Sequence, residues 1–364
     1  MNEVLNTNSV VVGVDVHKFN HMAYAMDCFG QEKGLLSFSN LKLPEFNSFL
    51  YSLGGKENTI VALEDTNGYG IKIVESLVTE GFKIRYVPGI LTERDRKQSI
   101  HRDKSDLFDA KRVGKVILTK YEETLPAREN IATLKERMLS TELDLLLTER
   151  KDLVSSKTIL KNQLHALVHQ LLGDNYMFDF KKGFTKRKIP VYQKLIKEKQ
   201  KTGELKNNPL TRSILRRLER LDLVHDQILS IDKEVLKVSS NKKVIEALRQ
   251  SIIGCGQTTA ATIISQIMTI NRFSSSAKLA KYAGIAPTQK SSGRKTKLKT
   301  SPFGNRILNR AMHTIALYQI SKKETEGRIY FERKVSEGKT KLWALRCLKR
   351  QMINKVFNVL KHAN

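Results

Sequence analysis

Cysteine is scarce in this sequence: Cys28, Cys255 and Cys347 are the only three in 364 residues. An odd and scattered set makes neither a disulfide framework nor a zinc cluster, which points to a reducing compartment. No apolar run approaches the roughly 20 residues that span a bilayer. The amino terminus, MNEVLNTNSVVVGVD, lacks a basic leader region and a signal-type apolar stretch, so no export is expected. Acidic residues are also short, at 37 Asp and Glu against 64 Lys and Arg, which leaves a formal charge of +27. A surface that positive repels itself unless a polyanion neutralises it, so nucleic acid is the first partner to expect. An anionic membrane surface is the competing partner. Hydrophobic residues make up 40% and aromatics 7% of the chain, enough to bury real cores. The length is too great for one core and predicts two or three domains.

Residues 9 to about 120 alternate short β-branched runs with helical patterns. Ser9–Val16, His21–Met26 and Gly34–Ser39 read as a meander of three strands. Thr59–Glu64 and Lys83–Val87 are two further strands, the second stopped by Pro88. Leu43–Leu53 and Tyr69–Glu80 have helical periodicity, with Pro44 in a first turn and Gly81 as a stop. This alternation predicts an α/β domain on a mixed sheet. From 127 to 248 the character changes to heptads. Leu139, Leu143, Leu146, Arg150, Leu153, Lys157, Leu160, Leu164, Leu167 and Leu171 form one seam, interrupted twice by charge. Leu221, Val224, Ile228, Ile231, Val235 and Val238 form another. The two seams pair either as an antiparallel hairpin within one chain or across two chains. Between them, residues 181–220 hold 14 Lys or Arg and 3 Asp or Glu. Such a run is ordinarily a solvated face or insertion; on a chain this basic it reads as a phosphate-contacting segment.

Four carboxylates of the first part invite chemistry. Asp15 ends the first apolar run, and Glu64 ends the Thr59 run in the same way. Asp106 and Asp109 enter a helix that continues through Val113 and Ile117, and a spacing of three puts them on one face. If the first and fourth strands are neighbours, their ends meet that helix and four acids converge. Left alone they would raise one another's pKa values; a divalent cation removes the conflict, because Mg²⁺ takes carboxylate and water oxygens. Two such ions would clamp the attacking and leaving oxygens of a phosphodiester. Singly, each acid reads first as a strand-ending or helix-starting residue, and it is the combination that points to chemistry. His17 and His101 read as surface or phosphate neighbours rather than ligands. Lys18 and Lys104 flank the acids as phosphate contacts would, and Asp65 and Asp103 are extra acids that spacing does not exclude.

The last part, from about 249, opens on Ile252–Ala261, an I-G-x-G-x-x-T-A pattern of the helix-hairpin-helix kind. There Gly254 and Gly256 permit a tight turn, and amides at the following helix start can hold a phosphate. A Gly-x-Gly is otherwise a helix-capping turn. Thr288–Lys297 reads as a polar loop carrying Ser291 and Ser292. From Lys290 to Arg306 six residues are basic and none is acidic, including Arg294, Lys295 and Lys297. Such a loop can stabilise a charged phosphoryl intermediate; the plainer reading is a linker decorated with lysines. No His adjoins it, which excludes a Ser-His-Asp arrangement on local evidence. The chain closes on two helices, near Arg306–Ile320 and Lys341–Leu360.

Taken together, these blocks resemble the DEDD-type transposases of bacterial insertion sequences, family 110, the group related to the Piv and MooV invertases. Val12–Lys18 looks like the family's opening block. Leu63-Glu64-Asp65-Thr66-Asn67-Gly68-Tyr69 is similar to its E-x-T-G-x-Y block, with Asn67 inserted. Lys104-Ser105-Asp106-Leu107-Phe108-Asp109-Ala110 is similar to K-[ST]-D-x-x-D-A. Gly254, Gly256, Arg272-Phe273, Tyr282–Pro287, Ser292-Gly293 and Gly304-Asn305-Arg306 resemble its carboxy-terminal blocks. The resemblance implies an RNase H-like, RuvC-type domain over 1–125, a coiled-coil middle over 126–248, and a small helical transposase domain over 249–364. It implies Asp15, Glu64, Asp106 and Asp109 as a Mg²⁺-binding tetrad and Ser292 as a nucleophile that joins DNA covalently, with Ser291 its adjacent alternative. It further implies double-stranded DNA and a structured noncoding guide RNA as partners, a dimer or tetramer with a composite site, and a cytoplasmic, nucleoid-associated place. No P-loop is present, and a phosphoserine link would conserve bond energy without ATP. Two rivals are a RuvC-type nuclease or junction resolvase using water, and a non-catalytic architectural binder.

Overall fold

A computed structural model of the chain describes residues 5–64, 68–98, 105–173, 183–201, 208–240, 242–292, 295–300 and 304–363. Proximity divides it into two compact units, Met1–Arg137 with Met268–Gly304, and Met138–Ile267 with Asn305–Asn364.

The first unit is built on one sheet of β1 (Val10–Asp15), β2 (Asn20–Asp27), β3 (Glu32–Ser39), β4 (Thr59–Glu64), β5 (Lys83–Val87) and β6 (Leu125–Pro126), in the order β3-β2-β1-β4-β5-β6. β1, β2 and β3 form the antiparallel meander, while β4 runs parallel to β1 and β5 parallel to β4. The sheet is therefore mixed, and the first and fourth strands are neighbours. Helices α1 (Leu43–Ser52), α2 (Gly55–Asn58), α3 (Ile71–Glu80), α4 (Gly89–Gln98), α5 (Asp106–Lys120) and α6 (Arg128–Ile131) complete it.

Strand alternation sends successive side chains to opposite faces. Val10, Val12 and Val14 of β1 pack with Phe46 and Leu50 of α1 and Ile73 and Leu77 of α3. Val11 of β1 and Ile60 and Ala62 of β4 pack on the other face with Leu91 of α4 and Val113 and Ile117 of α5. Gly13 has no side chain to fill that second face. A Cβ there would lie 2.1 Å from the Ala110 carbonyl oxygen and 2.4 Å from the Gly114 nitrogen. The backbones of β1 and α5 thus touch, which only glycine permits.

The same unit includes the 3-10 turn Ile270–Arg272, a short helix α12 (Ser276–Tyr282), and a hairpin of β7 (Pro287–Ser292) with β8 (Lys295–Thr300). Arg272 ties this segment to the sheet: its Nε donates to the Pro126 carbonyl at 3.4 Å, and its guanidinium lies over the rings of Phe273 and Tyr282. The hairpin corrects the expectation of a polar loop over 288–297. Six pairs from Pro287↔Thr300 to Ser292↔Lys295 join the strands. The sequence concealed them because Thr288–Lys297 is polar throughout and shows no hydrophobic alternation.

In the second unit, most of α7 (Leu134–Leu172) runs antiparallel to α9 (Pro209–Ser239). Arg150 pairs with Asp232 at 2.6 Å, and Arg217 donates to Gln163 at 3.1 Å, so partners descend one helix as they climb the other. The heptad seams therefore meet within one chain, and the charge at Arg150 that interrupts the first seam has its carboxylate across the interface. Leu164 and Val168 of α7 share a core with Ile214, Leu218 and Leu221 of α9. The basic stretch supplies the third wall. Its helix α8 (Ile189–Lys201) buries Ile189, Tyr192 and Ile196 in that core and turns its lysines outward. Beyond α9 come α10 (Lys243–Ser251), α11 (Gln257–Ile267), α13 (Arg306–Ser321), α14 (Glu326–Ser336) and α15 (Lys341–Ala363).

Candidate metal centre

Asp15 and Glu64 end two adjacent parallel strands whose register pairs Val14 with Leu63. By alternation Asp15 follows Val11 and Gly13, and Glu64 follows Ile60 and Ala62, so both carboxylates face α4 and α5. The Gly13 contact draws the start of α5 toward the end of β1. Ser105 caps that helix, its side chain accepting from the Phe108 amide. Asp106 and Asp109 lie in the first turn, where the helix dipole favours negative charge.

Three ligand atoms come together at this edge. Oxygens of Asp15 and Asp106 and a ring nitrogen of His17 all lie within 4.8 Å of one another. His17 Nε2 is 3.0 Å from Asp15 Oδ2 and 3.3 Å from Asp106 Oδ1. Glu64 approaches from β4 and accepts a hydrogen bond from Thr92 Oγ1 at 3.3 Å. Gly89, at the start of α4, makes room for it: a Cβ there would stand 2.3 Å from Glu64 Oε1. Asp109 accepts from the buried Arg112 at 2.7 Å.

The electrostatics tie the acids into one group. Burial pushes the Asp15 carboxyl above its ordinary range; His17 opposes this, and the charges of Asp109 and Asp106 add to it. Burial likewise raises Glu64, against the Thr92 hydrogen bond and with the charges of Asp15 and Asp109. Carboxylates crowded in this way hold protons that a cation would displace. Hard oxygens beside one imidazole form a donor set suited to a divalent ion.

The other sequence candidates are distributed. Lys18 is exposed in the turn after β1, its Nζ 5.2 Å from the centre of the Phe19 ring. Ser292 is the last residue of β7, opposite Lys295, while Ser291, Lys290 and Lys297 lie along the two strands. Gly254 sits in the turn between α10 and α11 with φ of 85°, and a Cβ there would strike the Tyr318 ring. Gly256 immediately precedes α11 with open space about its Cα. Arg306 is exposed as the first residue of α13. Lys104, Arg294, His101, Asp65 and Asp103 lie outside the described residues. The sequence places His17 as a surface or phosphate neighbour; it is exposed, and its ring lies against two of the acids. Its signal was its place two residues after Asp15, where a turn can fold it back.

Residues 246–332 match the model of the Transposase IS116/IS110/IS902 family. Residues 12–172 match a second transposase model, the DEDD type of IS110. The chain is 33% identical over 142 residues to the insertion element IS110 uncharacterized 43.6 kDa protein of Streptomyces coelicolor, an alignment spanning 39% of this chain and 35% of that protein. It is 22% identical to the insertion element IS116 uncharacterized 44.8 kDa protein of Streptomyces clavuligerus, over 96% of this chain and 94% of that protein. The two family matches bracket the basic stretch and cover every acid of the centre. No described helix is long and apolar enough to cross a membrane.

Proposed function

The chain belongs to the IS116/IS110/IS902 family of transposases, and from that membership we propose that it breaks and rejoins DNA at the ends of an insertion element. The observation that carries the reading is the meeting of Asp15, His17 and Asp106, with Glu64 and Asp109 coupled to them. The strand order, with an antiparallel meander beside two parallel strands, supports an RNase H-like, RuvC-type catalytic domain over 1–125. In this reading 126–248 is a coiled-coil and basic middle, and 249–364 is a carboxy-terminal domain with a helix-hairpin-helix-like element.

Asp15, Glu64, Asp106 and Asp109 would hold Mg²⁺, two ions by analogy with other phosphoryl-transfer sites. Bound there, the metal supplies polarisation of the scissile phosphate and neutralises charge on its oxygens. Ser292 is the nucleophile: its oxygen bonds to phosphorus, the bond to the 3′ oxygen breaks, and the serine proton is given up as the 3′ oxygen leaves as a hydroxyl. Attack by the 3′-hydroxyl of the exchanged strand reverses the bond and frees the serine. No bond energy is lost to water, so exchange needs no ATP. The +27 charge fits a complex with double-stranded DNA and a structured guide RNA, the RNA supplying sequence choice by base pairing. A dimer or tetramer would bring two DNA ends together.

The test incubates the protein with Mg²⁺, flanking element RNA and labelled DNA spanning an element end, followed by a denaturing protein gel. A labelled protein band, absent in Ser292→Ala and in Asp15→Ala but kept in Ser291→Ala, is the expected result. Cut DNA with no adduct, unaffected by Ser292→Ala, would leave a water-using nuclease instead.

A further inference from the structure

The second unit holds a cluster of like charge opposite in sign to the acid centre. Helices α13 and α15 pack together, and neither carries a single Asp or Glu. Arg306 opens α13, directly after Asn305, whose side chain caps the helix by accepting from the Leu308 amide. Lys349 of α15 is half-buried against α13, where its ammonium donates to the side-chain oxygen of Asn309. Arg346 lies one turn earlier, its guanidinium 4.7 Å from the centre of the Trp343 ring, which holds it in place.

A half-buried structural lysine ordinarily faces a carboxylate, because an uncompensated cation is costly away from water. Lys349 donates to an amide oxygen and lies within the repulsive field of Arg346 and Arg306. The acids of α10 and α14, and the one just after α14, are paired with other cations. On α14 Glu326 pairs with Lys355 and Glu332 with Arg328, at its end Glu337 pairs with Lys334, and on α10 Glu246 pairs with Arg249. Among the described residues no ion pair reaches Arg306, Arg346 or Lys349. The strain shows in the ammonium, which burial and then the charges of Arg346 and Arg306 pull down to about 8. The start of α13 adds the positive end of a 16-residue helix to the same region.

An anion removes this conflict, just as a cation removes the conflict among the acids. We propose that Arg306, Arg346 and Lys349 form a phosphodiester-binding site for the backbone of the nucleic acid on which the protein acts. The proposal rests on the reading above and deepens it by naming residues of the second unit that would hold the nucleic-acid backbone. The arginines present planar forks to phosphate oxygens, and Lys349 adds a point charge whose proton phosphate would hold in place.

Fluorescence anisotropy of the full chain tests it, with a DNA duplex and an RNA hairpin as separate probes, between about 50 and 200 mM salt. Arg346→Gln/Lys349→Gln is expected to weaken binding about tenfold and to lower the slope of log affinity against log salt by about one to two. Lys349→Arg is expected to keep the slope, and Lys56→Gln, a distant exposed charge, to change nothing. Thermal midpoints show whether the variants fold, and their acid centre should still respond to Mg²⁺. Loss confined to the duplex makes DNA the ligand, and loss confined to the hairpin makes it RNA. A folded double variant with wild-type affinity and slope on both probes would overturn the site while leaving the transposase reading intact. A wild-type chain that binds neither probe would overturn both.

Discussion

Asp15 and Glu64 are held above the ordinary carboxylate range by burial, with neighbouring carboxylates adding to it. The folded state therefore grips their protons more tightly than the unfolded chain does. The associated stability is fully present below the unfolded pKa, near 4, and is lost as pH rises through the raised folded values. In chelator, Asp15→Asn should match the wild-type melting temperature near pH 4 and exceed it at pH 7, by about 2–4 °C per kcal/mol of repulsion removed. Mg²⁺ should raise the wild-type midpoint at pH 7 and leave Asp15→Asn unmoved; a melting series across pH with and without metal reads both. Gly89 makes a different prediction. Its absent side chain leaves room for Glu64, so Gly89→Ala should displace that carboxylate and cut strand cleavage by about 10²-fold. Single-turnover rates should show this with little change in melting temperature.

The site depends on how β1 meets α5. Gly13 lets the two backbones touch and brings the first turn of α5 beside the strand end. Gly13→Ala forces them apart and should cost about 1–3 kcal/mol in urea unfolding, with Mg²⁺ affinity falling in parallel. The acids and their helix were legible in the sequence, because alternation along two β-branched runs and an i, i+3 pair are local patterns. The partnership between them was not, since it depends on a contact between residues 13 and 110–114. α8 teaches the same lesson in the second unit. Its lysines read as a phosphate-contacting segment, and beneath them Ile189, Tyr192 and Ile196 repeat at three and four residues and close a core. Ile196→Asp should therefore destabilise the second unit by several kcal/mol, a loss that denaturant titration would register and a surface substitution would not produce.

Across the whole molecule the dominant quantity is charge, +27 over 364 residues. Binding that neutralises six to ten phosphates should lose about 10³–10⁵ in affinity between 50 and 200 mM salt. Affinity measured against salt on a fixed duplex gives the number of contacts directly, and a flat response would remove nucleic acid as the principal partner. The charge is also unevenly placed. Acids crowd the ends of β1 and β4 and the start of α5, while α13 and α15 are wholly without acid.

The sequence by itself determined the classes of element, the basic character and the family, because all three reside in local pattern, composition and ordered motif blocks. It also identified Asp15, Glu64, Asp106 and Asp109 as residues worth bringing together. Tertiary structure alone decided that His17 turns back onto Asp15 and Asp106, that the polar serine segment pairs as a hairpin, and that the heptad seams meet within one chain. The first two depend on hydrogen bonds or charges between groups with no periodic signature, and the third on a choice between one chain and two that a heptad pattern leaves open. Hydrophobic period reports which face of an element is buried; it carries no record of which polar groups meet at the edge of that burial.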